Sequence, residues 1–297
     1  MTRIIVVGTG IMGCGIAAGF LATGADVLLL GRNPDGGEAA RSRALALADV
    51  LGGATAHLEL GLMESCLDWS CDMAIESVSE DLVLKQCVFA WMDSRVPDGV
   101  PIGSNSSSYP ISRIADGLST RARMFGMHYF MPAHVVPLVE VVMGLDSDAG
   151  LAKRACELFT AHGKKPVLVK KDIPGFLANR IQHALMREAL ALVDAGIASV
   201  EDVDLAVRYS FGFRYAAIGP MMQKEISGWD SMYNAAQEIY PSLSNTATVP
   251  ECLGTLVREG RFGIKSGAGF LSWTPEAASD LKRSYEQRLQ AAFKILE

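Results

Sequence analysis

The sequence predicts an α/β chain: a doubly wound sheet followed by an all-helical C-terminal domain. Three observations predict it. Up to Lys170, short β-branched or apolar runs alternate with helical stretches. A glycine-rich turn separates the first of these runs from the first helical stretch. Beyond Lys170-Lys171-Asp172-Ile173-Pro174-Gly175 the strand signals fade. The expected domains are therefore residues 1–171 and residues 172–297.

Taken in order, Arg3-Ile4-Ile5-Val6-Val7 has the continuous apolar character of a buried parallel strand. A helix is expected from about Ile11 to Ala22, and Asp26-Val27-Leu28-Leu29-Leu30 is the second strand. An Ala- and Leu-rich helix follows from about Gly37 to Leu51. Met73-Ala74-Ile75-Glu76 and Pro101-Ile102-Gly103-Ser104 are later strands, with a helix between them from about Glu80 to Ser94. Arg123 to His128, Val135 to Val142 and Pro166-Val167-Leu168-Val169-Lys170 complete the sheet. In the second domain, Leu177, Ile181, Leu185 and Leu192 recur at helical spacing. Ser199 can cap a helix whose first turn is acidic at Glu201 and Asp202. Thr274-Pro275-Glu276 is another helix start, with proline at its first position.

Composition narrows the function. The 297 residues are 49% hydrophobic and carry a net charge of −6, which argues against nucleic acid, because phosphate binding needs clustered Lys and Arg. Cys14, Cys66, Cys71, Cys87, Cys156 and Cys252 form no C-x-x-C pair and no zinc-ligand spacing, so no metal site is expected. They read as free thiols in a reducing, cytoplasmic setting. Glycines break the apolar N-terminus, so it is not a signal peptide, and no uncharged run of membrane-spanning length occurs.

Gly8-x-Gly10-x-x-Gly13, between the first strand and the first helix, is a Rossmann-like dinucleotide fingerprint. Gly8 permits the turn, Gly10 the close approach of backbone to a pyrophosphate, and Gly13 close helix–strand packing. Ile11 and Met12 lie inside the fingerprint and count among the cofactor-binding residues. At the end of the second strand, where an acid selects NAD through the ribose hydroxyls, the chain reads Gly31-Arg32-Asn33. Glycine leaves room for a 2′-phosphate and Arg32 can bind it, so the expected cofactor is NADP. The alternative is NAD, with Arg32 an ordinary surface arginine.

Ser104-Asn105-Ser106-Ser107-Ser108, Gly126-Met127-His128-Tyr129-Phe130, Leu138-Val139-Glu140-Val141 and Asp172-Ile173-Pro174-Gly175-Phe176-Leu177-Ala178-Asn179-Arg180 resemble the L-3-hydroxyacyl-CoA dehydrogenase family in order and spacing. Glu76 to Lys85 and Lys265-Ser266-Gly267-Ala268-Gly269-Phe270 extend the resemblance over nearly the whole chain. It implies that His128 is the general base in oxidation and the acid in reduction. It implies that Glu140 orients His128, and that Ser107 and Asn179 hydrogen-bond the substrate oxygen or the histidine. Glu80, Lys85 and Asn105 would lie on the cofactor, and the helical domain would form a homodimer. Imidazole chemistry agrees, since it passes protons near neutrality. His57, His162 and His183 have no such frame and read as bland residues; His134 stays open.

Departures from the family bear on substrate. His128-Tyr129-Phe130-Met131-Pro132 carries Met131 where acyl-CoA enzymes usually have asparagine, and methionine cannot donate amide hydrogen bonds. The segment from Asn33 to Asp72 is short, and its basic residues besides histidine are Arg41 and Arg43; acyl-CoA members carry a long basic hairpin there. Phe213-Arg214-Tyr215-Ala216-Ala217-Ile218-Gly219-Pro220 resembles the CoA-independent branch, which includes gulonate and carnitine dehydrogenases, while Pro132-Ala133-His134-Val135-Val136-Pro137 and Phe262-Gly263-Ile264-Lys265-Ser266-Gly267 are similar to pyridine-carboxylate dehydrogenases. Arg214 is then a candidate carboxylate clamp, or else an interdomain or dimer salt bridge, with Tyr215 and Met131 as further substrate contacts. The expected function is hydride transfer between a nicotinamide cofactor and a small hydroxy or carbonyl compound bearing a carboxylate. The alternatives are a 3-hydroxyacyl-CoA dehydrogenase and a non-catalytic cofactor-binding structural or sensor protein.

Overall fold

The computed structural model describes residues 1–33, 36–53 and 57–296. The chain forms two compact units, Met1–Arg180 and Ile181–Glu297.

In the first unit, β1 (Arg3–Val7) pairs in parallel with β2 (Asp26–Gly31) on one side and with β4 (Met73–Glu76) on the other. Both its faces are covered, which is why Ile4 to Val7 are all 0% exposed and read as one continuous apolar run. α1 (Ile11–Ala22) is buried almost all round. α2 (Gly37–Val50) buries Ala40, Ala44 and Ala48, one helical stripe of small residues against α1. The edge strand β3 (Leu58–Leu62) pairs with β2. α3 (Leu82–Asp93) starts at Asp81, whose side chain accepts from the Leu84 amide at 2.8 Å. β5 (Ile102–Ser104), the short α4 (Ile111–Ile114), β6 (Met124–Tyr129), β7 (Leu138–Met143), α5 (Ala149–Ala161) and β8 (Lys165–Val169) follow.

Among the described residues the strands form one sheet in the order β3-β2-β1-β4-β5-β6-β7-β8. β1 to β6 run parallel, β7 is antiparallel to β6, and β8 is parallel to β7. The order reverses beside β1, so a crevice opens past the carboxyl ends of β1 and β4, where ligands bind in such sheets. Gly8, Ser77, Asn105 and Phe130 lie just beyond the ends of β1, β4, β5 and β6.

β3 and α5 were not foreseen. β3 is a five-residue edge strand of sequence LELGL, with a glycine inside its alternation. α5 carries buried Ala152, Ala155 and Phe159 behind an Asp148 cap, a signal that was present in the sequence. Between β2 and β4, the chain uses α2 and β3, with no long helical hairpin among the described residues; Pro34, Asp35 and Ala54 to Ala56 of the weakly basic segment lie outside them.

α6 (Ala178–Asp194) crosses from the first unit into the second. The second unit is otherwise helical, with α7 (Val200–Tyr209), α8 (Phe211–Ala217), α9 (Pro220–Ser227), α10 (Trp229–Ile239), α11 (Glu251–Arg258) and α12 (Pro275–Leu296), plus isolated bridges among Gly263, Ala268 and Ser272. Ser199 accepts from the Asp202 amide at 3.0 Å and caps α7, while Thr274 accepts from Ala277 at 3.2 Å ahead of Pro275. The change in composition at Lys171 precedes the division between units because Asp172, Leu177 and Ala178 are tied to α4 and β7 of the first unit. Asp172 accepts from the Ser112 amide, and Leu177 and Ala178 donate to Glu140.

Candidate active site

The glycine turn is shaped by close approach. Gly8 has φ 125, and a Cβ there would stand 2.4 Å from the Ser77 carbonyl oxygen. A Cβ on Gly13 would stand 1.9 Å from the Gly8 carbonyl oxygen, whereas one on Gly10 would meet nothing within 4 Å. The open side of the turn is therefore at Gly10, the N-cap of α1, which has no side chain to satisfy the first helical amides. A pyrophosphate fits that cradle. Beside it, Thr9, Gly31, Arg32, Met63 and Ser77 to Ser79 line a second hollow at the end of β2.

The larger cleft, about 560 Å³, is lined by Gly10, Ile11, Met12, Ser77 to Glu80, Asn105, Ser107, His128 to Met131 and Asn179. His128 and Glu140 face each other across the β6–β7 ladder. His128 Nδ1 lies 2.8 Å from Glu140 Oε2; the two residues are 3% and 0% exposed. Glu140 Oε1 accepts from the Leu177 amide at 3.0 Å and the Ala178 amide at 2.7 Å. Burial pushes the Glu140 carboxyl up. Its hydrogen bonds to His128, Ala178 and Leu177 and the imidazole charge outweigh that, and it lies below the usual carboxylate range. An ionised carboxylate only accepts, so the proton of a neutral His128 sits on Nδ1 and Nε2 keeps the lone pair. The His128 ring packs against Phe130 and Phe176, with centroids 4.6 and 5.4 Å away.

The turn that delivers the two amides is strained. Gly175 has φ 76, and Phe176, buried at 2% exposure, has φ 49. A non-glycine residue in this region costs free energy, and surrounding structure must hold it there.

Of the residues singled out in the sequence, Gly10, Ile11, Met12, Glu80, Asn105, Ser107, His128, Met131 and Asn179 come together at the cleft. Asn105 Nδ2 donates to Ser77 Oγ at 3.2 Å, and Asn105 Oδ1 accepts the Tyr129 amide at 2.9 Å. Lys85 does not line the cleft. It is 1% exposed and lies beneath it, with Nζ 2.9 Å from Glu76 Oε1 and 3.2 Å from Glu80 Oε2. Arg214 and Tyr215 belong to the second unit, exposed on α8, while the cleft lining is drawn wholly from the first. Sequence reasoning missed Ser77, Ser79 and Phe130 as lining residues, and Phe176 as packing for the histidine. Ser77 and Phe130 follow strand ends on the crevice side, which the topology rule could have flagged. Among the described residues there is no cluster of metal-binding side chains, and no helix is long and apolar enough to cross a membrane.

Residues 3–173 match the family model for the 3-hydroxyacyl-CoA dehydrogenase NAD binding domain, and residues 175–273 match that for the C-terminal domain. The chain belongs to the 3-hydroxyacyl-CoA dehydrogenase family. It is 33% identical to the 5-formyl-3-hydroxy-2-methylpyridine 4-carboxylate 5-dehydrogenase of Mesorhizobium japonicum, over 99% of this chain and 98% of that one. It is 34% identical to L-carnitine dehydrogenase of Streptomyces coelicolor, over 83% and 80% of the two chains. A crystal structure of a 5-formyl-3-hydroxy-2-methylpyridine 4-carboxylic acid 5-dehydrogenase, described as an NAD+-dependent dismutase, superposes with a TM-score of 0.92 at 32% identity, covering 100% and 99% of the chains. This family member is thus a nicotinamide-dependent dehydrogenase.

Proposed function

We propose that this dehydrogenase moves a hydride between a nicotinamide cofactor and a small hydroxy or carbonyl compound bearing a carboxylate, with His128 and Glu140 handling the proton. The observation that carries the reading is Glu140, buried and ionised, with one oxygen on His128 Nδ1 and the other on two backbone amides. The bound nicotinamide supplies the hydride acceptor or donor. The Gly8–Gly13 turn holds its pyrophosphate, and Asn105 and Glu80 face the same cleft. In oxidation, His128 Nε2 takes the hydroxyl proton while Glu140 stabilises the imidazolium; in reduction the same nitrogen returns it. Ser107 and Asn179 orient the substrate oxygen.

Two features favour a free acid over a CoA thioester. Among the described residues the region between β2 and β4 offers α2 and β3 in place of a long basic hairpin, and Met131, 63% exposed at the cleft, presents an apolar surface. The relatives named for pyridine carboxylate and carnitine agree in substrate chemistry. The described cleft lining contains no Lys or Arg; as carboxylate clamp Arg214 is proposed, on the strength of its sequence motif.

For the cofactor we propose NADP. Arg32 lines the hollow at the end of β2, no carboxylate is in that lining, and a Cβ at Gly31 would approach Thr9 Cγ2 to 3.1 Å. NAD is the alternative that the family model and the NAD+-dependent relative favour. Exposed Phe213, Met221, Ile226 and Tyr233 suit a homodimer made through the second unit. The six free thiols suit a reducing cytoplasm.

The test is initial-rate absorbance at 340 nm, with NADPH and NADH, on a panel of acetoacetate, 3-dehydrocarnitine, 5-formyl-3-hydroxy-2-methylpyridine 4-carboxylate and acetoacetyl-CoA. Turnover of a free acid that His128→Ala lowers by roughly two to four decades supports the reading. Undiminished turnover in His128→Ala removes the dyad from it.

A further inference from the structure

We propose that Glu80 is a positioning residue for Ser107, holding the turn on both sides of it. The inference deepens the reading of the cleft above and rests on Ser107 meeting the substrate oxygen. Glu80 Oε1 accepts from Ser106 Oγ at 2.6 Å and from the Ser108 amide at 3.0 Å. These are the two chain neighbours of Ser107. The same Ser106 hydroxyl accepts the Tyr109 amide at 3.0 Å, and the Ser106 amide donates to Ser104 Oγ at 3.1 Å. Ser104 Oγ donates in turn to Glu76 Oε2 at 2.7 Å, and the Asn105 amide to the Glu76 carbonyl oxygen at 2.8 Å. Each residue from Ser104 to Tyr109 is thus tied down except Ser107, which is exposed at the cleft.

Glu80 is itself held from below. Its Oε2 lies 3.2 Å from Lys85 Nζ, and Lys85 is fixed at 2.9 Å by the fully buried Glu76. A long acidic side chain at a cleft rim ordinarily samples several rotamers; here both carboxylate oxygens are engaged. Burial pushes the Glu80 carboxyl up, but Ser106, Lys85 and Ser108 bring it below the usual range, so it accepts at both oxygens at neutral pH. Displacement of a reacting group by about 1 Å can cost on the order of 10²-fold in rate, and this clamp prevents such a displacement of Ser107.

A direct cofactor contact, which the family resemblance implies for Glu80, makes a different prediction. It costs cofactor affinity, and the cost is independent of Ser107. The experiment compares Glu80→Ala, Ser107→Ala, the double variant, Ser106→Ala and Glu80→Gln. It measures kcat and KM on the most rapidly converted panel compound, and cofactor Kd by NADPH and NADH fluorescence. Glu80→Ala is expected to lower kcat roughly tenfold to a hundredfold with little change in Kd. The double variant is expected to match Ser107→Ala alone, because the clamp has nothing left to position. Ser106→Ala, at a residue 1% exposed and outside the cleft lining, should lower kcat in the same sense. Glu80→Gln should lose less than Glu80→Ala, since its amide oxygen still accepts from Ser106 and Ser108 while its NH₂ no longer accepts from Lys85. If Glu80→Ala fails to fold, the cycle is run with Ser106→Ala. An impaired Ser107→Ala whose penalty adds to that of Glu80→Ala overturns this inference alone, as does a Kd that rises with kcat intact. Ser107→Ala at the wild-type rate overturns both this inference and the role assigned to Ser107.

Discussion

Replacing Glu140 by glutamine keeps its volume and removes one acceptor. In the wild type, Oε1 serves the Leu177 and Ala178 amides and Oε2 serves His128 Nδ1. Glutamine has a single oxygen and two arrangements. If that oxygen stays on the backbone amides, its NH₂ faces Nδ1, and the imidazole must move its proton to Nε2. If the amide rotates, two buried backbone N–H groups lose their acceptor, at about 1–3 kcal/mol each. The first arrangement is cheaper, so Glu140→Gln should fold and bind cofactor while holding His128 in the tautomer that cannot act as base. General acid–base catalysis contributes on the order of 10²–10⁴, and the expected loss in kcat is about 10²-fold, smaller than for His128→Ala. The assay is single-turnover NAD(P)H formation from the alcohol form of the best panel compound, with cofactor Kd measured in parallel. Acid stability provides a second reading. The wild-type carboxyl lies below its ordinary value of 4.5, so it contributes stability above that value and loses it as pH falls through the folded pKa. Glu140→Gln should lack that acid-side decline. A variant within fivefold of wild-type kcat would refute the tautomer argument.

Arg32→Ala should lower kcat/KM for NADP roughly tenfold or more, given about 1.5–3 kcal/mol for a charged hydrogen bond, and leave NAD little affected. Gly31→Asp should shift preference towards NAD, and equal effects on both cofactors would make Arg32 a surface arginine. Lys164 donates to the Ala133 and Val136 carbonyl oxygens at 2.7 and 2.9 Å, and burial pushes its ammonium down from 10.5 to about 8. Between those values the unfolded chain holds a proton that the folded one lacks, so wild-type stability should rise relative to Lys164→Met from pH 8 towards 10.5. A flat or falling difference in urea midpoints contradicts that sign.

Much of this was legible in the sequence where local pattern and tertiary role coincide. The glycine turn declares itself because strand, turn and helix are contiguous. His128 and Glu140 were picked out by their place in the motifs that resemble the family, and the ladder between β6 and β7 sets them face to face. β3 was hidden because its alternation is brief, glycine-interrupted and half exposed. The burial of Lys85 could not be read locally. A lysine on a helix reads as solvent-facing or ligand-facing, and only the fold sets Glu76 against it. Phe176 adopts positive φ because the turn must aim two amides at Glu140, a demand set by the distant strand β7. Arg214 and Tyr215 were picked from a motif in the second unit, whereas the cleft is lined by residues of the first.

The most direct test of the central claim, a dehydrogenase of small free acids working through His128, is kcat/KM for the panel's free acids set against acetoacetyl-CoA at 340 nm. One of the free acids is expected to reach the ordinary enzyme range of about 10⁴ M⁻¹s⁻¹ or more, while acetoacetyl-CoA stays well below it. Acetoacetyl-CoA in that range with the free acids unreactive would contradict the account and make the chain an acyl-CoA enzyme.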